Sequence, residues 1–491
     1  MIDRRDFLLS IGASIAAPSL GAMELGKQPA STPLASSAPL ASSAPPAKPN
    51  FIVMICDDLG YGDLGSYGSK LQTPNLDAMA REGTRFTHFN TPNPTCSASR
   101  ASLLTGRYAQ RCGVTRVYFP YDKGGMDLDE STIASVLKPR GYTSMCIGKW
   151  HLGQTPEYLP TSRGFDHYFG VPYSVDMSPL PMIRDTTIIE EHTDRNLLTE
   201  RYTKNAIEFI QSSKDKPFFL YLAYSYPHIP IHASDKFRGK SKQGIYGDAV
   251  MEIDWSVGEI RRTLREQGLE ENTLVLFTSD HGPWYQGSPG MLRGRKDTSY
   301  EGGCRVPLLA SWKGRIPAGK VSETWTSNLD ILPTLAALSD APLPAKPVDG
   351  LNIADILRGK KDNIERDVML YFSGDDWNVY CGRQDHWKLR FAEHNTPPYD
   401  LRPVEGRHTY RLAHPELYDL SDDPMESYDV APENPQIVQH ILERVDAKIT
   451  SFSAEVQQAY QAQKQLVGNP NTSPGARPRP ENTKTPPWHK S

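Results

Sequence analysis

The chain has 491 residues, which is long enough for one large domain with a smaller one beside it. Its 54 basic and 58 acidic side chains give a formal charge of −4, which excludes a general nucleic-acid binder because such proteins need a basic excess. A hydrophobic content of 38% is typical of a globular protein and excludes a chain that is disordered throughout or embedded in a membrane.

The first 22 residues are typical of a twin-arginine export signal. Arg4 and Arg5 precede an apolar run over residues 7–17, and this run is too short to cross a bilayer. Residues 23–49 are rich in alanine, serine and proline, which predicts a flexible linker. We therefore expect the twin-arginine export machinery as a partner and a periplasmic or secreted protein in a bacterium. A short membrane anchor or a disordered N-terminus is the alternative interpretation.

From residue 50 onward, apolar strands alternate with helices. The predicted strands are 50–56, 143–147, 217–223, 273–278 and 306–310. The predicted helices are 74–82, 202–211, 249–267 and 329–338. This alternation predicts an α/β domain with a largely parallel sheet, which we place at residues 50–365.

The elements become shorter after residue 365. The predicted strands there are 368–372, 386–391 and 416–420, followed by one closing helix over 437–462. We interpret residues 366–465 as a smaller α+β subdomain. Residues 466–491 are rich in proline, asparagine and threonine, which predicts a flexible tail.

Six cysteines are scattered along the chain, and none belongs to a C-x-x-C pair. The sequence therefore lacks the starting motif of a zinc finger or a thioredoxin site. Their even number permits disulfides in an oxidising compartment, although the spacing gives no framework.

Acidic residues follow two of the predicted strands. Asp57 and Asp58 end the first strand, and Asp280 with His281 ends a later one. Open parallel sheets bind ligands at the carboxyl ends of their strands, so these side chains are expected to lie together. Neighbouring strand residues point to opposite faces, so the first pair converges only where the chain turns, as the glycines just after it permit. Three converging carboxylates require a cation such as Ca²⁺ or Mg²⁺, whereas for either pair alone a turn or a helix cap is the favoured explanation.

The segment over residues 94–107 carries the most specific pattern. Cys96 precedes a short predicted helix that ends at Gly106, so a group there lies at the positive end of the helix dipole. Arg100 lies one turn further along the same face. A lone cysteine is more often a small buried hydrophobe, but this setting favours an anion beside it.

This segment resembles the sulfatase family, which carries C-x-P-x-R or C-x-A-x-R at this point. Further segments resemble the family in its own order over roughly residues 50–350: residues 57–58, 141–151, 227–230, 279–282 and 295–303. The resemblance implies an alkaline-phosphatase-like fold, with a large mixed, mostly parallel sheet flanked by helices. Two positions depart from the usual pattern. Ala98 replaces the more usual proline, and His281 stands where asparagine is commonest, although imidazole is a poor ligand for a hard cation.

The resemblance also implies an activity, the hydrolysis of a sulfate ester, and a sulfated carbohydrate as the expected substrate. In that family the cysteine becomes formylglycine, made by a formylglycine-generating or an anaerobic sulfatase-maturating enzyme. The hydrated aldehyde would attack sulfur with one hydroxyl and expel sulfate with the other. The implied metal ligands, for Ca²⁺ or Mg²⁺, are Asp57, Asp58, Cys96, Asp280 and His281. The implied catalytic residues are Cys96, Arg100, Lys149, His151, His228 and Lys296.

Each of the implied catalytic residues has an expected role. Arg100 and Lys149 would neutralise charge around the diol and the sulfate. His228 and Lys296 would contact the sulfate, and one of them would protonate the leaving oxygen. His151 would take a proton from the second hydroxyl.

Two other functions remain open on the sequence alone. A phosphonate monoester hydrolase or phosphodiesterase of the same superfamily would share the metal-binding aspartates. An inactive protein that binds sulfated glycans would result if Cys96 stayed unmodified. For any of these functions, aromatic and basic residues in the expected loops 177–195, 375–380 and 402–411 are the candidate substrate contacts.

Overall fold

The computed structural model describes residues 48–374, 376–394 and 409–467, together with the backbone of residues 477 and 478. The predicted export signal, nearly all of the predicted linker and most of the predicted tail lie outside these residues. Within these ranges, no helix is long and apolar enough to cross a membrane. All six cysteines lie within them, where they are buried and not joined by disulfides.

The strands and helices of the described residues are numbered in chain order. The strands are β1 (Asn50–Cys56), β2 (Thr84–Asn90), β3 (Thr143–Gly148), β4 (His167–Gly170), β5 (Met182–Arg184), β6 (Thr187–Glu190), β7 (Phe218–Ala223), β8 (Thr273–Ser279), β9 (Arg305–Ser311), β10 (Lys320–Ser322), β11 (Thr326–Ser327), β12 (Met369–Phe372), β13 (Val379–Gln384), β14 (Trp387–His394), β15 (Thr409–Asp419), β16 (Tyr428–Asp429) and β17 (Arg477–Pro478). The α-helices are α1 (Pro74–Glu82), α2 (Cys96–Thr105), α3 (Ile133–Leu137), α4 (Leu198–Ser212), α5 (Gly244–Glu266), α6 (Glu301–Cys304), α7 (Ile331–Leu338), α8 (Ala354–Leu357), α9 (Pro435–Ile449) and α10 (Ala454–Gln465).

The large sheet has the order β10-β2-β9-β8-β1-β7-β3-β4-β5-β6, with β11 paired to β2. Its central strands, from β8 to β4, run parallel. β9 and the β5–β6 hairpin pair with their neighbours in antiparallel fashion. The predicted large, mixed and mostly parallel sheet is therefore confirmed. The segments that follow β1, β3, β7 and β8 meet at one edge, because parallel strands share the direction of their carboxyl ends.

β1 lies in the middle of this sheet and is buried along its whole length. Phe51, Val53 and Ile55 pack into the hydrophobic core on one face, with α2, α3 and α7. Ile52 and Met54 pack into the core on the other face, with α1, α4 and α5. A strand covered by helices on both faces needs apolar residues at every position, which explains the continuous apolar run in the sequence.

The C-terminal part forms a second, antiparallel sheet in the order β12-β13-β14-β15, with α9 and α10 packed against it. The predicted single helix over 437–462 is wrong, because α9 ends before α10 begins. Between them, the hydroxyl groups of Thr450 and Ser451 donate to backbone carbonyl groups of the preceding turn, which competes with helical hydrogen bonding. The sequence analysis also missed β2 and β13, in which polar residues interrupt the apolar pattern.

A buried network of charges joins this sheet to the large one. Lys388 on β14 donates to Glu301 Oε1 at 2.9 Å and lies 3.0 Å from Glu426 Oε1. Glu301 is the first residue of α6, and its Oε2 also accepts from Arg305 Nε at 2.6 Å. Burial alone would lower the pKa of Lys388, but the two carboxylates raise it above its ordinary value. Lys388 is therefore a charged link between the two sheets.

We expect Lys388→Met to lower the free energy of unfolding by about 3–5 kcal/mol. The change removes the cation that the buried carboxylates of Glu301 and Glu426 share, and it leaves Arg305 as the cation at hydrogen-bond distance from Glu301. Urea unfolding followed by circular dichroism measures this loss. Lys360→Met is the control at an exposed position, where a change within about 0.5 kcal/mol is expected. Equal stability of the two variants would contradict this account of the network.

Candidate active site

Two adjacent carboxylates lie at the carboxyl end of β1. Asp57 and Asp58 are both buried, and Asp58 has a left-handed backbone with a φ of 67°. Non-glycine residues rarely adopt this conformation. The chain therefore turns at Asp58 itself, and a second turn follows, in which the Asp63 N–H donates to the Gly60 carbonyl oxygen at 3.2 Å. Gly60 also allows close packing, because a Cβ there would lie 2.1 Å from the Ser288 carbonyl oxygen.

Cys96 is the first residue of α2, and its thiol is buried among charged side chains. Its Sγ lies 3.5 Å from Asp57 Oδ1 and 3.3 Å from His281 Nε2. Lys296 Nζ lies 3.6 Å from the same sulfur. All residues of α2 are buried, and Gly106 closes the helix with a φ of 67°. The predicted short helix is confirmed, and its positive end points at position 96.

Arg100 lies one turn along α2 and connects three strand ends. Its Nε and Nη2 donate to Asp280 Oδ2 at 3.1 and 2.8 Å. Its Nη1 donates to the Lys149 carbonyl oxygen at 3.1 Å, and Nη2 lies 3.5 Å from Asp57 Oδ1. Burial opposes the charged form, but the carboxylates of Asp280 and Asp57 raise the pKa of Arg100 above its ordinary value. Arg100 thus remains a cation in the interior.

Two lysines pair with the two carboxylates of β1. Lys149 Nζ donates to Asp57 Oδ2 at 2.6 Å, and Lys296 Nζ donates to the two oxygens of Asp58 at 2.8 and 3.1 Å. Burial alone would raise the pKa of both carboxyl groups. The Lys149 ammonium nevertheless lowers the pKa of Asp57, and the Lys296 ammonium lowers that of Asp58, below their ordinary values. Arg100 with Asp280 is the third such pair. Three buried cations therefore face three buried carboxylates.

His151 follows β3 and has a left-handed backbone with a φ of 62°. Its Nε2 lies 3.0 Å from the Tyr118 carbonyl oxygen, which only accepts, so Nε2 carries the proton and donates. Its Nδ1 is buried and has no hydrogen-bond partner among the described residues. Burial, Lys149 and Arg100 lower the pKa of His151 well below its ordinary value. The ring is therefore neutral, and its Nδ1 is able to accept a proton.

His228 follows β7, and its Nε2 lies 3.8 Å from Asp58 Oδ2. Its Nδ1 donates to the Ile229 carbonyl oxygen, which turns Nε2 toward the site. Burial and the nearby Lys296 lower the pKa of His228. With His228 in this position, the structure brings all of the sequence-predicted catalytic residues to one edge of the large sheet.

Donor atoms suited to a divalent cation converge at the same edge. Asp57, Cys96, Asp280 and His281 each offer one ligand atom, and these atoms lie within 4.8 Å of one another. Asp58 joins them, because its Oδ1 lies 3.5 Å from His281 Nε2. Three carboxylates supply the oxygen ligands that hard cations such as Ca²⁺ and Mg²⁺ prefer. The residues present therefore fit a divalent metal ion.

The protonation of His281 bears on whether it binds that ion. Its Nδ1 donates to the Gly282 carbonyl oxygen at 2.9 Å, so Nε2 faces the carboxylates. Burial opposes the charged ring, but Asp280 and Cys96 raise the pKa of His281 to about 9. A metal ion bound at Nε2 would therefore displace a proton.

The sequence analysis missed the side chains that hold α2 in place. Ser99 Oγ donates to the Asp280 carbonyl oxygen and accepts from Asn328 Nδ2 at 3.0 Å. The Tyr118 N–H donates to Ser97 Oγ at 3.4 Å, and the carbonyl oxygen of Tyr118 accepts from His151 Nε2. The serines that recur in the helix over residues 96–105 could have indicated these contacts, because buried hydroxyl groups need hydrogen-bond partners. Nothing in the sequence marked Tyr118.

The three expected substrate loops are only partly described. Residues 177–195 include the β5–β6 hairpin at the edge of the large sheet, so the expectation of a loop there is wrong. Residues 376–380 lead into β13. Residue 375 and residues 402–408 lie outside the described residues.

Comparison with known proteins gives the family of the chain. The model named Sulfatase matches residues 49–341, and the model of the C-terminal region of aryl-sulfatase matches residues 364–483. This chain belongs to the sulfatase family. The protein is accordingly a sulfuric ester hydrolase, and the two matches cover the large sheet and the C-terminal antiparallel sheet.

Three relatives illustrate the similarity. Human arylsulfatase A is 36% identical over 476 residues, which cover 87% of this chain and 94% of the relative. N-acetylgalactosamine-6-sulfatase of Canis lupus familiaris is 40% identical over 364 residues, 67% of this chain and 69% of the relative. A solved sulfatase structure, described with the metabolism of multiple glycosaminoglycans by Bacteroides thetaiotaomicron, has a TM-score of 0.74. It is 28% identical and covers 82% of this chain and 99% of its own.

Proposed function

We propose that this sulfatase removes a sulfate group from a sulfated carbohydrate, using formylglycine made from Cys96 and a bound Ca²⁺ ion, with Mg²⁺ as the alternative. One observation carries the proposal. The Cys96 thiol starts a buried helix and lies within 3.6 Å of an aspartate, a histidine and a lysine. A reactive group at position 96 would therefore have charged side chains that stabilise its charge, and groups that exchange protons, within contact distance.

The charges of the site support an anionic substrate. The three carboxylates are matched by Arg100, Lys149 and Lys296. A divalent cation that displaces the proton of His281 therefore leaves the site with two excess positive charges. Buried excess charge is costly unless it is paired. A sulfate ester brings a negative charge that compensates part of this excess, and a neutral ester brings none.

The modified residue and the metal would supply the reaction's nucleophile and its electrophilic activation. A formylglycine at position 96 would supply a hydrated aldehyde: one hydroxyl would attack sulfur as the S–O bond to the alcohol breaks, and the other would then expel sulfate and regenerate the aldehyde. A divalent cation held by Asp57, Asp58 and Asp280 would supply Lewis-acid polarisation of the sulfate oxygens. Arg100 and Lys149 neutralise negative charge around position 96, and Lys296 with His228 binds the sulfate group.

Proton transfer falls to one lysine and one histidine. The leaving oxygen needs a proton, and the Lys296 ammonium donates it from beside Asp58, whereas the lowered pKa of His228 leaves its Nε2 without a proton. The second hydroxyl at position 96 must lose a proton, and the unpartnered Nδ1 of His151 accepts it. The lowered pKa of His151 supports this role, because a neutral imidazole is a base at neutral pH.

The relatives support a sulfated sugar as the substrate. One is named for the 6-sulfate of N-acetylgalactosamine, and the structural neighbour is described with glycosaminoglycan metabolism. The complete set of charged groups around Cys96 favours a catalyst over an inactive glycan-binding protein.

We also propose that the protein is exported by the twin-arginine route after modification in the cytoplasm. Cys96 is 2% exposed in the fold, so a maturating enzyme has to act on the unfolded chain. Twin-arginine export then carries the folded, modified protein. Both kinds of maturating enzyme remain candidates, because Ala98 replaces the more usual proline.

We expect Cys96→Ala to lower kcat for 4-nitrophenyl sulfate by at least about 10⁴-fold, because the variant lacks the nucleophile. Cys112→Ala, which changes another buried cysteine, is the control and should keep its activity. Full activity of Cys96→Ala would contradict the proposal. Faster turnover of bis(4-nitrophenyl) phosphate than of the sulfate by the unchanged protein would favour the phosphodiesterase alternative.

We expect Ca²⁺ to raise the melting temperature of protein that has been treated with a chelator and dialysed. At a free concentration of 100 times Kd, a bound ligand stabilises the fold by about 2.7 kcal/mol. Asp280→Asn should lose this shift, because it removes a ligand, whereas Asp235→Asn at an exposed position should keep it. Differential scanning calorimetry makes the comparison. Equal shifts in both variants would argue against a metal on these aspartates, and a shift with Mg²⁺ alone would favour the alternative ion.

A further inference from the structure

A surface turn beside the active site has a backbone fixed by several hydrogen bonds. The Asp122 N–H donates to the Phe119 carbonyl oxygen at 2.9 Å and closes the turn. Asp122 Oδ2 accepts from the Phe119 N–H at 2.6 Å and from Arg116 Nη1 at 2.7 Å. Gln154 Nε2 lies 3.2 Å from the Phe119 carbonyl oxygen and 2.8 Å from that of Asp122. The turn is therefore a rigid platform.

This turn carries a stacked pair of aromatic rings. The rings of Phe119 and Tyr121 lie 5.7 Å apart between centroids, with 3° between their planes. Tyr121 is 75% exposed, so its ring adds little to the core. Lys123, two residues further on, is exposed as well. A flat aromatic ring is thus held open to solvent, two residues before an exposed lysine.

The turn begins next to the groups proposed for catalysis. The Tyr118 N–H donates to Ser97 Oγ at 3.4 Å, and the Tyr118 carbonyl oxygen accepts from His151 Nε2 at 3.0 Å. Ser97 follows the residue proposed to become formylglycine. Three residues of extended chain span at most about 11 Å, so the Tyr121 Cα lies within that distance of the Tyr118 Cα. A short segment therefore ties Tyr121 to residues beside position 96, and an oligosaccharide offers this ring a second sugar, which an aryl sulfate lacks.

We propose that Tyr121 and Phe119 form a subsite for a second sugar ring of the substrate, with Lys123 placed for a second sulfate group. This subsite rests on the proposed function, because it requires a sulfated carbohydrate. The C–H groups on one face of a pyranose ring pack against an aromatic face, where the ring quadrupole is negative. A rigid aromatic side chain loses little conformational entropy on binding. The subsite therefore favours oligosaccharides over single sugars.

Substitution of Tyr121 tests this subsite in the full-length, formylglycine-containing enzyme. The values of kcat/KM are measured for 4-nitrophenyl sulfate and for sulfated tetrasaccharides prepared from chondroitin sulfate, heparan sulfate and carrageenan. We expect Tyr121→Ala to lower the ratio of tetrasaccharide to aryl sulfate kcat/KM by about five- to tenfold through a higher KM, and Tyr121→Trp to keep it. Tyr428→Ala, at a 41% exposed position on β16, is the matched control and should change the ratio less than about twofold.

The other outcomes separate the subsite from the proposed function. An unchanged ratio in Tyr121→Ala, or an equal fall in Tyr428→Ala, would overturn the subsite. Turnover of 4-nitrophenyl sulfate without turnover of any tetrasaccharide would overturn the subsite and the carbohydrate substrate but leave the sulfatase chemistry intact. Failure to hydrolyse either kind of substrate would overturn the proposed function and the subsite with it.

Discussion

The two hydrogen bonds from Arg100 to Asp280 Oδ2 are the interaction on which the active site depends. They fix the first turn of α2 against the end of β8, and the same guanidinium reaches the backbone at the end of β3. Cys96 is thereby held over the carboxylates of β1. Each of the remaining carboxylates has its own lysine partner, so the buried charges balance. Loss of any one partner would leave an unpaired charge in the interior, which is why these residues act as one unit.

The C-terminal sheet also contributes to this site. Lys296 lies on the segment that leads into α6, and several side chains of the C-terminal part hold this segment. Arg390 Nη1 donates to the Tyr300 hydroxyl at 2.6 Å, one residue before the buried pair of Glu301 with Lys388. The smaller sheet therefore helps to position a lysine that contacts the proposed nucleophile. This dependence explains why two packed sheets, rather than the large one alone, form the working unit.

Sequence alone predicted the parts of the structure that have local signals. Continuous apolar runs gave the central strands, and the catalytic residues and metal ligands implied by the family motifs meet at one edge of the sheet. Contacts between distant segments had no such signal. The left-handed turn at Asp58, the carbonyl of Tyr118 that orients His151, and the partners of Ser99 all depend on tertiary packing. β2 was missed because its half-buried positions mix polar and apolar residues, and β13 because a glycine and two polar residues at 382–384 interrupt the apolar pattern of a mostly buried strand.

The chemical state of residue 96 is the most direct test of the proposed mechanism. Mass spectrometry of the tryptic peptide of residues 86–100, taken from preparations of different specific activity, measures the fraction that carries an aldehyde. The mechanism predicts that kcat for 4-nitrophenyl sulfate rises in proportion to the fraction of peptide that has lost H₂S and gained oxygen. Full turnover by a preparation in which this peptide carries only the thiol would contradict it.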